Sequence, residues 1–215
     1  VPDGGTVPLP DIRELLFADL PPLTVLEQFA AVPDLHALAG AVAREDESGA
    51  RPLLERVLST TTETRNRLQA WSLARRVGIE PAPEEARQVR GVVIDVGLDG
   101  GTDTLAGYDD GTARYLNQGG GAIVWEASAD AIDAVIRGLI AAGQAVAEQT
   151  GPLDGPRPAA PPTGYAAIWL LTDAGIHLGA GPFQTLATDP LGGPVIGAAT
   201  DLMRQLIERD SAART

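Results

Sequence analysis

The densest run of chemically capable side chains lies between Tyr108 and Glu126. Tyr108-Asp109-Asp110-Gly111-Thr112-Ala113-Arg114-Tyr115-Leu116-Asn117-Gln118-Gly119 carries carboxylates, a guanidinium, phenols and side-chain amides, and Trp125-Glu126 follows. An arginine in such company can grip a carboxylate, a phosphate or a partner's backbone through its planar fork of donors. The competing reading is a plain polar sheet face, with Arg114 and Glu126 paired across strands for only ~0.2–1 kcal/mol. The expected binding set is Tyr108, Asp110, Arg114, Tyr115, Asn117, Gln118 and Glu126, with His177 added from a later strand. No residue is assigned a catalytic role.

Other combinations carry less. Asp109 and Asp110 are adjacent on a hairpin, so their carboxylates diverge, and turn chemistry accounts for Asp-Asp-Gly. No calcium loop with a terminal Glu follows, and His36 and His177 lack metal-ligand spacing, so no metal is expected. Gly119-Gly120-Gly121 and Gly179-Ala180-Gly181 precede expected strands rather than helices. With no Lys anywhere in the chain, a P-loop is excluded and no cofactor is expected. His177 stands opposite Ile176 and Leu178, near Asp173 and Thr185, where a His–Asp pair activating a hydroxyl is conceivable. No nucleophile-elbow motif supports it.

Composition narrows the classes further. The chain has no cysteine, which removes disulfides, thiolate nucleophiles and zinc ribbons, and fits a cytoplasmic location. Net charge is −13 and every basic residue is Arg, a pattern of G- and C-rich bacterial-type coding. The acidic field repels phosphates, so neither nucleic acid nor an anionic membrane is an expected partner. No apolar run reaches the ~18 residues of a membrane span. The opening Val1-Pro2-Asp3-Gly4-Gly5 lacks a signal peptide's basic start and apolar core, although a chain opening on Val can have lost a leader.

These residues need elements to hold them. Residues 1–80 read as a helical region after an extended, Pro-rich lead-in over 1–10. Ile12, Leu15 and Leu16 share a helical face, Leu23 to Ala31 form a second helix, and Asp34 caps a third. Residues 44–49 read as a polar loop, Pro52 opens the next helix, and Gly78 ends the one through Trp71. Residues 88–150 read as a first β-meander with a helix over 129–148, capped by Ser128. Residues 151–163 hold five prolines and read as an exposed linker. Residues 164–210 restart the pattern: Tyr165–Leu171, Ile176–Ala180 and Phe183–Ala187 as strands, then a helix over 195–209.

The expected fold is therefore α+β: an N-terminal helical region, then a two-layer α/β sandwich of mainly antiparallel strands. The sandwich is built from two strand-strand-strand-helix units, which suggests internal duplication, with Trp125 and Trp169 in comparable places. In element order alone this resembles small profilin-like and roadblock-like adaptor modules, and no motif of either is present. The expected function is a non-enzymatic protein-interaction or adaptor module acting through an exposed sheet face or edge. Its partner is a protein, or a second copy in a homodimer. The alternative is a small-molecule-binding protein or hydrolase with a polar site around Arg114, Glu126 and His177.

Overall fold

The helical periodicity of the first eighty residues and the alternation after residue 88 each become one body. A computed structural model describes residues 12–126 and 131–213. The expected lead-in over 1–10 and the Ser128 cap lie outside those residues. The chain divides into two units, one running to Thr61 and resuming over Arg65–Glu80, the other taking Thr62–Thr64 and the chain from Pro81.

The first unit holds a short 3-10 turn, Glu14–Leu16, then α1 (Pro22–Gln28), α2 (Pro33–Ala43), α3 (Glu47–Thr60) and most of α4 (Thr64–Arg75). Pro33 opens α2 at its first position, so Asp34 lies in the first turn instead of capping it. The second half of the expected polar loop is already helix, from Glu47: Asp46 accepts from the Gly49 N–H at 2.8 Å and caps α3, leaving Pro52 inside it. Leu35, Leu38, Leu54, Val57, Trp71 and Leu73 are buried in the core of this unit. Gln69 closes it from within, accepting from the Leu20 N–H and donating to the Leu20 carbonyl, both at 3.0 Å.

The second unit contains α5 (Pro83–Ala86), then β1 (Val89–Leu98), β2 (Gly101–Tyr108), β3 (Ala113–Leu116) and β4 (Ala122–Trp125). After α6 (Ala131–Ala147) come β5 (Tyr165–Thr172), β6 (Gly175–Pro182), α7 (Phe183–Thr188) and α8 (Gly192–Ala213). The six strands form one antiparallel sheet in the order β4-β3-β2-β1-β5-β6. β5 returns beside β1 in the register Ile94↔Ile168, so both strand sets share a single sheet. Period two then sorts the side chains. Val92, Ile94, Leu105, Ile168 and Leu170 face one layer, where they meet Ile136 and Leu139 of α6 and Val195, Leu202 and Leu206 of α8.

Two expectations are corrected. Phe183–Ala187 is helix rather than strand, because Pro182 ends β6 and cannot donate to a continuing ladder. The sheet halves therefore contribute four strands and two, and Trp125 and Trp169 lie on opposite faces. Nothing in that arrangement favours duplication. The Pro-rich segment is also more than an exposed linker. Its Leu153 N–H donates to Ile176 O at 2.7 Å, and Gly164 N–H donates to Gly97 O at 2.9 Å. Between those anchors it crosses the face that carries Trp169. A Cβ on Gly97 would lie 2.2 Å from the Pro162 carbonyl oxygen, so only glycine admits the strap there.

The two α6 glycines separate cleanly. A Cβ at Gly143 would meet Val92 Cγ2 at 2.9 Å and Leu170 Cδ2 at 3.1 Å, whereas one at Gly138 meets nothing within 4 Å. Gly143→Ala is expected to lower unfolding stability by about 1–3 kcal/mol through overpacking. Gly138→Ala is expected to raise it by roughly 0.5–1 kcal/mol, through helix propensity and a less free unfolded chain. Urea denaturation of the two variants checks both signs.

Candidate functional site

Most of the polar run from Tyr108 to Glu126 is occupied in shaping its own hairpins. Tyr108 is fully buried, its ring lying where a side chain on Gly91 would stand. Asp110 Oδ1 accepts from the Thr112 N–H at 3.0 Å and its hydroxyl at 2.7 Å, while Oδ2 accepts from the Thr64 N–H at 2.8 Å. Asp109 accepts from the Thr64 hydroxyl and pairs with Arg90 at 3.3 Å, and Arg90 also reaches Asp173 at 3.5 Å. Asn117 Oδ1 accepts from the N–H groups of Gly119 and Gly121 at 2.9 and 3.0 Å. Gln118 donates its backbone N–H to Asp103 at 2.8 Å. These are turn-closing roles.

Arg114 departs most from expectation. Alternation does put it with Leu116 on the face opposite Ala113 and Tyr115, but that position is not open. Arg114 is 7% exposed. Its Nη1 donates to the carbonyls of Ala113 and Trp125 at 2.8 and 2.7 Å, and Nη2 donates to Glu126 at 2.8 Å. Five donors in a fixed plane suit this stapling of β3 to β4, and they leave little for a partner. Glu126 keeps most of its side chain in solvent.

Tyr115 points to the other face. Its hydroxyl donates to Asp103 Oδ2 at 2.8 Å. Burial, then the hydrogen bond and charge of Asp103, push the phenol up to about 12, so it stays protonated and keeps donating. Beneath this pair, between the sheet and α8, lies a cavity of about 210 Å³. Ile94, Leu105, Phe183, Ile196, Ala199 and Met203 wall it. Thr200, also in the wall, turns its hydroxyl to the Ile196 carbonyl at 2.8 Å. The interior is apolar, with one polar pair at its side.

His177 lines a second cavity in the same layer, of about 160 Å³, together with Val146, Ile168, Leu170, Leu186 and Leu191. The imidazole is 2% exposed. Its partner is neither Asp173, which binds Arg90, nor Thr185, which belongs to α7, but Thr150 at 2.8 Å from Nδ1. The expected polar site around Arg114, Glu126 and His177 does not assemble. Arg114 and His177 lie on opposite faces, and β3 and β6 are separated by β2, β1 and β5, roughly 19 Å at the usual strand spacing.

Sequence reasoning missed both cavities, and the signal for them was faint. Phe183 and Leu186, three residues apart, wall one cavity each. That spacing reads equally well as strand or helix in so short a run. Among the described residues no cluster of three or more His, Asp or Glu could hold a metal ion. Among them, too, no helix is long and apolar enough to cross a membrane.

No family model, curated protein or solved structure matches this chain. Its function must be argued from its own geometry.

Two outcomes test the site. Arg114→Met strips two strand carbonyls of their donor, so unfolding stability is expected to fall by about 1–3 kcal/mol. Glu126→Gln, at an exposed partner, is expected to cost less than about 1 kcal/mol. Equal losses in denaturation would mean that the ion pair, not the carbonyl staple, holds β4.

For His177, burial, and then the charge of Arg87, hold the imidazole below its ordinary pKa of 6.5. As pH drops below that value the unfolded chain gains a proton that the folded one resists, so stability falls until the folded pKa is reached. Between about pH 7.5 and 5.5 the wild type is expected to lose more stability than His177→Gln. Identical slopes would show that His177 titrates normally.

Proposed function

We propose that this chain is a non-enzymatic binding protein whose C-terminal unit takes a small, largely apolar molecule in the cavity beside Tyr115. The observation that carries the reading is the wall itself: aliphatic and aromatic side chains around about 210 Å³, with the Tyr115–Asp103 pair as the oriented polar feature. Ligand sites in proteins have this composition, an apolar lining with a few placed polar groups. The size exceeds the ~150 Å³ that admits benzene, and suits one or two rings or a short chain. Covering the apolar walls is worth roughly 25 cal/mol for each Å² removed from water. A cytoplasmic setting is part of the same proposal, supported by the absence of cysteine.

The adaptor reading stands second, on one observation. β4 is an edge strand of four residues, and its Val124 is 56% exposed. A protein segment, or a second copy, pairing with that edge would cover it.

One experiment separates the two. Met203 is the only methionine and lines the cavity, so a ¹³C-methyl label reports on it alone. Titration with indole or 1-hexanol is expected to shift this signal saturably and raise Tm, by as much as ~2.7 kcal/mol of stability at a hundredfold excess over Kd. Ala199→Leu, which fills the space, is expected to abolish both effects. If neither probe moves Met203, and the purified protein is instead a dimer or carries a stoichiometric protein, the small-ligand reading falls and the adaptor replaces it.

A further inference from the structure

The cavity beside Tyr115 is graded in exposure, and the one charged side chain in its wall belongs to the open end. Ile94, Leu105, Ile196 and Ala199 are buried and make its floor. Val96, Leu98, Tyr115 and Met203 are only part-buried, as is Asp103, and they make its rim. Period two on β2 turns Asp103 to the same side as Leu105, and its partner across to β1 is Val96, another wall residue. The Asp103 carboxylate therefore lies on the cavity side of the sheet.

What Asp103 already holds leaves it room for more. Oδ2 accepts from the Tyr115 hydroxyl and Oδ1 from the Gln118 N–H, each at 2.8 Å. A carboxylate offers about four lone-pair sites, so one on each oxygen stays open. Both donors are neutral, a phenol and a backbone amide. Among the described residues no Arg or His lines this cavity, and none forms an ion pair with Asp103. The charge is thus left without a counter-charge at the edge of an apolar space.

An ammonium group is its chemical complement. It brings N–H donors and the opposite charge together, and charge-assisted hydrogen bonds are roughly twice as strong as neutral ones. At a part-buried carboxylate the head keeps some of its water, so it escapes most of the cost of full desolvation. The net charge of −13 also draws cations toward the surface. An anionic head would meet repulsion at both stages.

Resting on the small-ligand reading above, we propose that this cavity takes a primary amine on a short apolar body, with the ammonium group at Asp103 and the body toward Ile196 and Ala199. The volume of about 210 Å³ exceeds the ~150 Å³ that admits benzene, which leaves room for a six-carbon chain. Hexylammonium, 1-hexanol and hexanoate share that body and differ only in the head.

The Met203 methyl reports on all three in the whole chain. Hexylammonium is expected to bind about tenfold more tightly than 1-hexanol, the net worth of one charge-assisted hydrogen bond, and hexanoate more weakly than either. Asp103→Asn keeps the shape and removes the charge, and is expected to bring amine and alcohol to equal affinity. Asp154→Asn removes the same charge from an exposed position on the Pro-rich strap, and is expected to leave the preference intact. Should Asp103→Asn fail to fold, the wild type still decides by the orientation of bound hexylammonium. Nuclear Overhauser contacts are expected from the methylene beside its nitrogen to the Tyr115 ring, and contacts from its terminal methyl instead overturn the proposal. So do equal or weaker binding of the amine in the wild type, a preference that survives Asp103→Asn, or an equal loss in Asp154→Asn. With 1-hexanol still shifting Met203, each of these leaves the small-ligand reading standing. If none of the three moves Met203, both fall together.

Discussion

One buried carboxylate ties the central strands together. Asp95 on β1 accepts from the Thr104 hydroxyl of β2 at 2.6 Å and from the Trp169 indole N–H of β5 at 2.8 Å. It is fully buried, so both bonds act without competition from water. A one-residue slip of β5 against β1 would turn every side chain of β5 to the other face. Asp95 and Trp169 would then no longer share a face, and a buried charge would lose a donor. The Ile94↔Ile168 register follows from that constraint, and with it the apolar layer beneath α6 and α8.

What the register leaves open is then decided by α7. A third strand in this place would have continued the sheet past β6. A six-residue helix turns back over the layer instead, and its Phe183 and Leu186 enter different cavities. The same turn of chain thus helps wall two spaces on one side of the sheet. The opposite side is occupied by the Pro-rich strap, pinned at Gly97 and Ile176, and by the stapled Arg114. The two cavities that α7 helps to wall both lie in the helix-backed layer.

Much of the architecture was legible because it rests on local, periodic signals. The alternation from Val92 to Val96 marks β1, the Asp-Gly turns mark the hairpins, and Ile132 to Val146 mark α6. Legibility failed where tertiary partners decide. Asp46 reads as loop until its bond to Gly49 makes it a cap. Phe183–Ala187 has strand-like composition, yet Pro182 and the return toward α8 make it helix. For the candidate site the failure has a single form. Sequence shows that Arg114, Asn117 and Asp110 can donate or accept, and it cannot show that groups of the same hairpins, and Thr64 for Asp110, have already claimed them. His177 reads as a neighbour of Asp173 and Thr185, but its partner, Thr150, lies 27 positions away.

The distribution of charge bears on what such a protein can hold. With a net charge of −13, the surface repels anions at a distance. Inside, Tyr115 stays protonated through burial and through Asp103, and His177 is held toward its neutral form by burial and Arg87. Both shifts run toward the uncharged side chain, and both cavities are walled mainly by aliphatic groups. An anion entering either would lose several kcal/mol of hydration and would meet a carboxylate in the wall, Asp103 in one and Asp189 in the other. A neutral molecule loses little and gains the walls. The walls therefore disfavour negative charge first and sort by shape second, with the Tyr115–Asp103 pair as the polar feature of the cavity beside it.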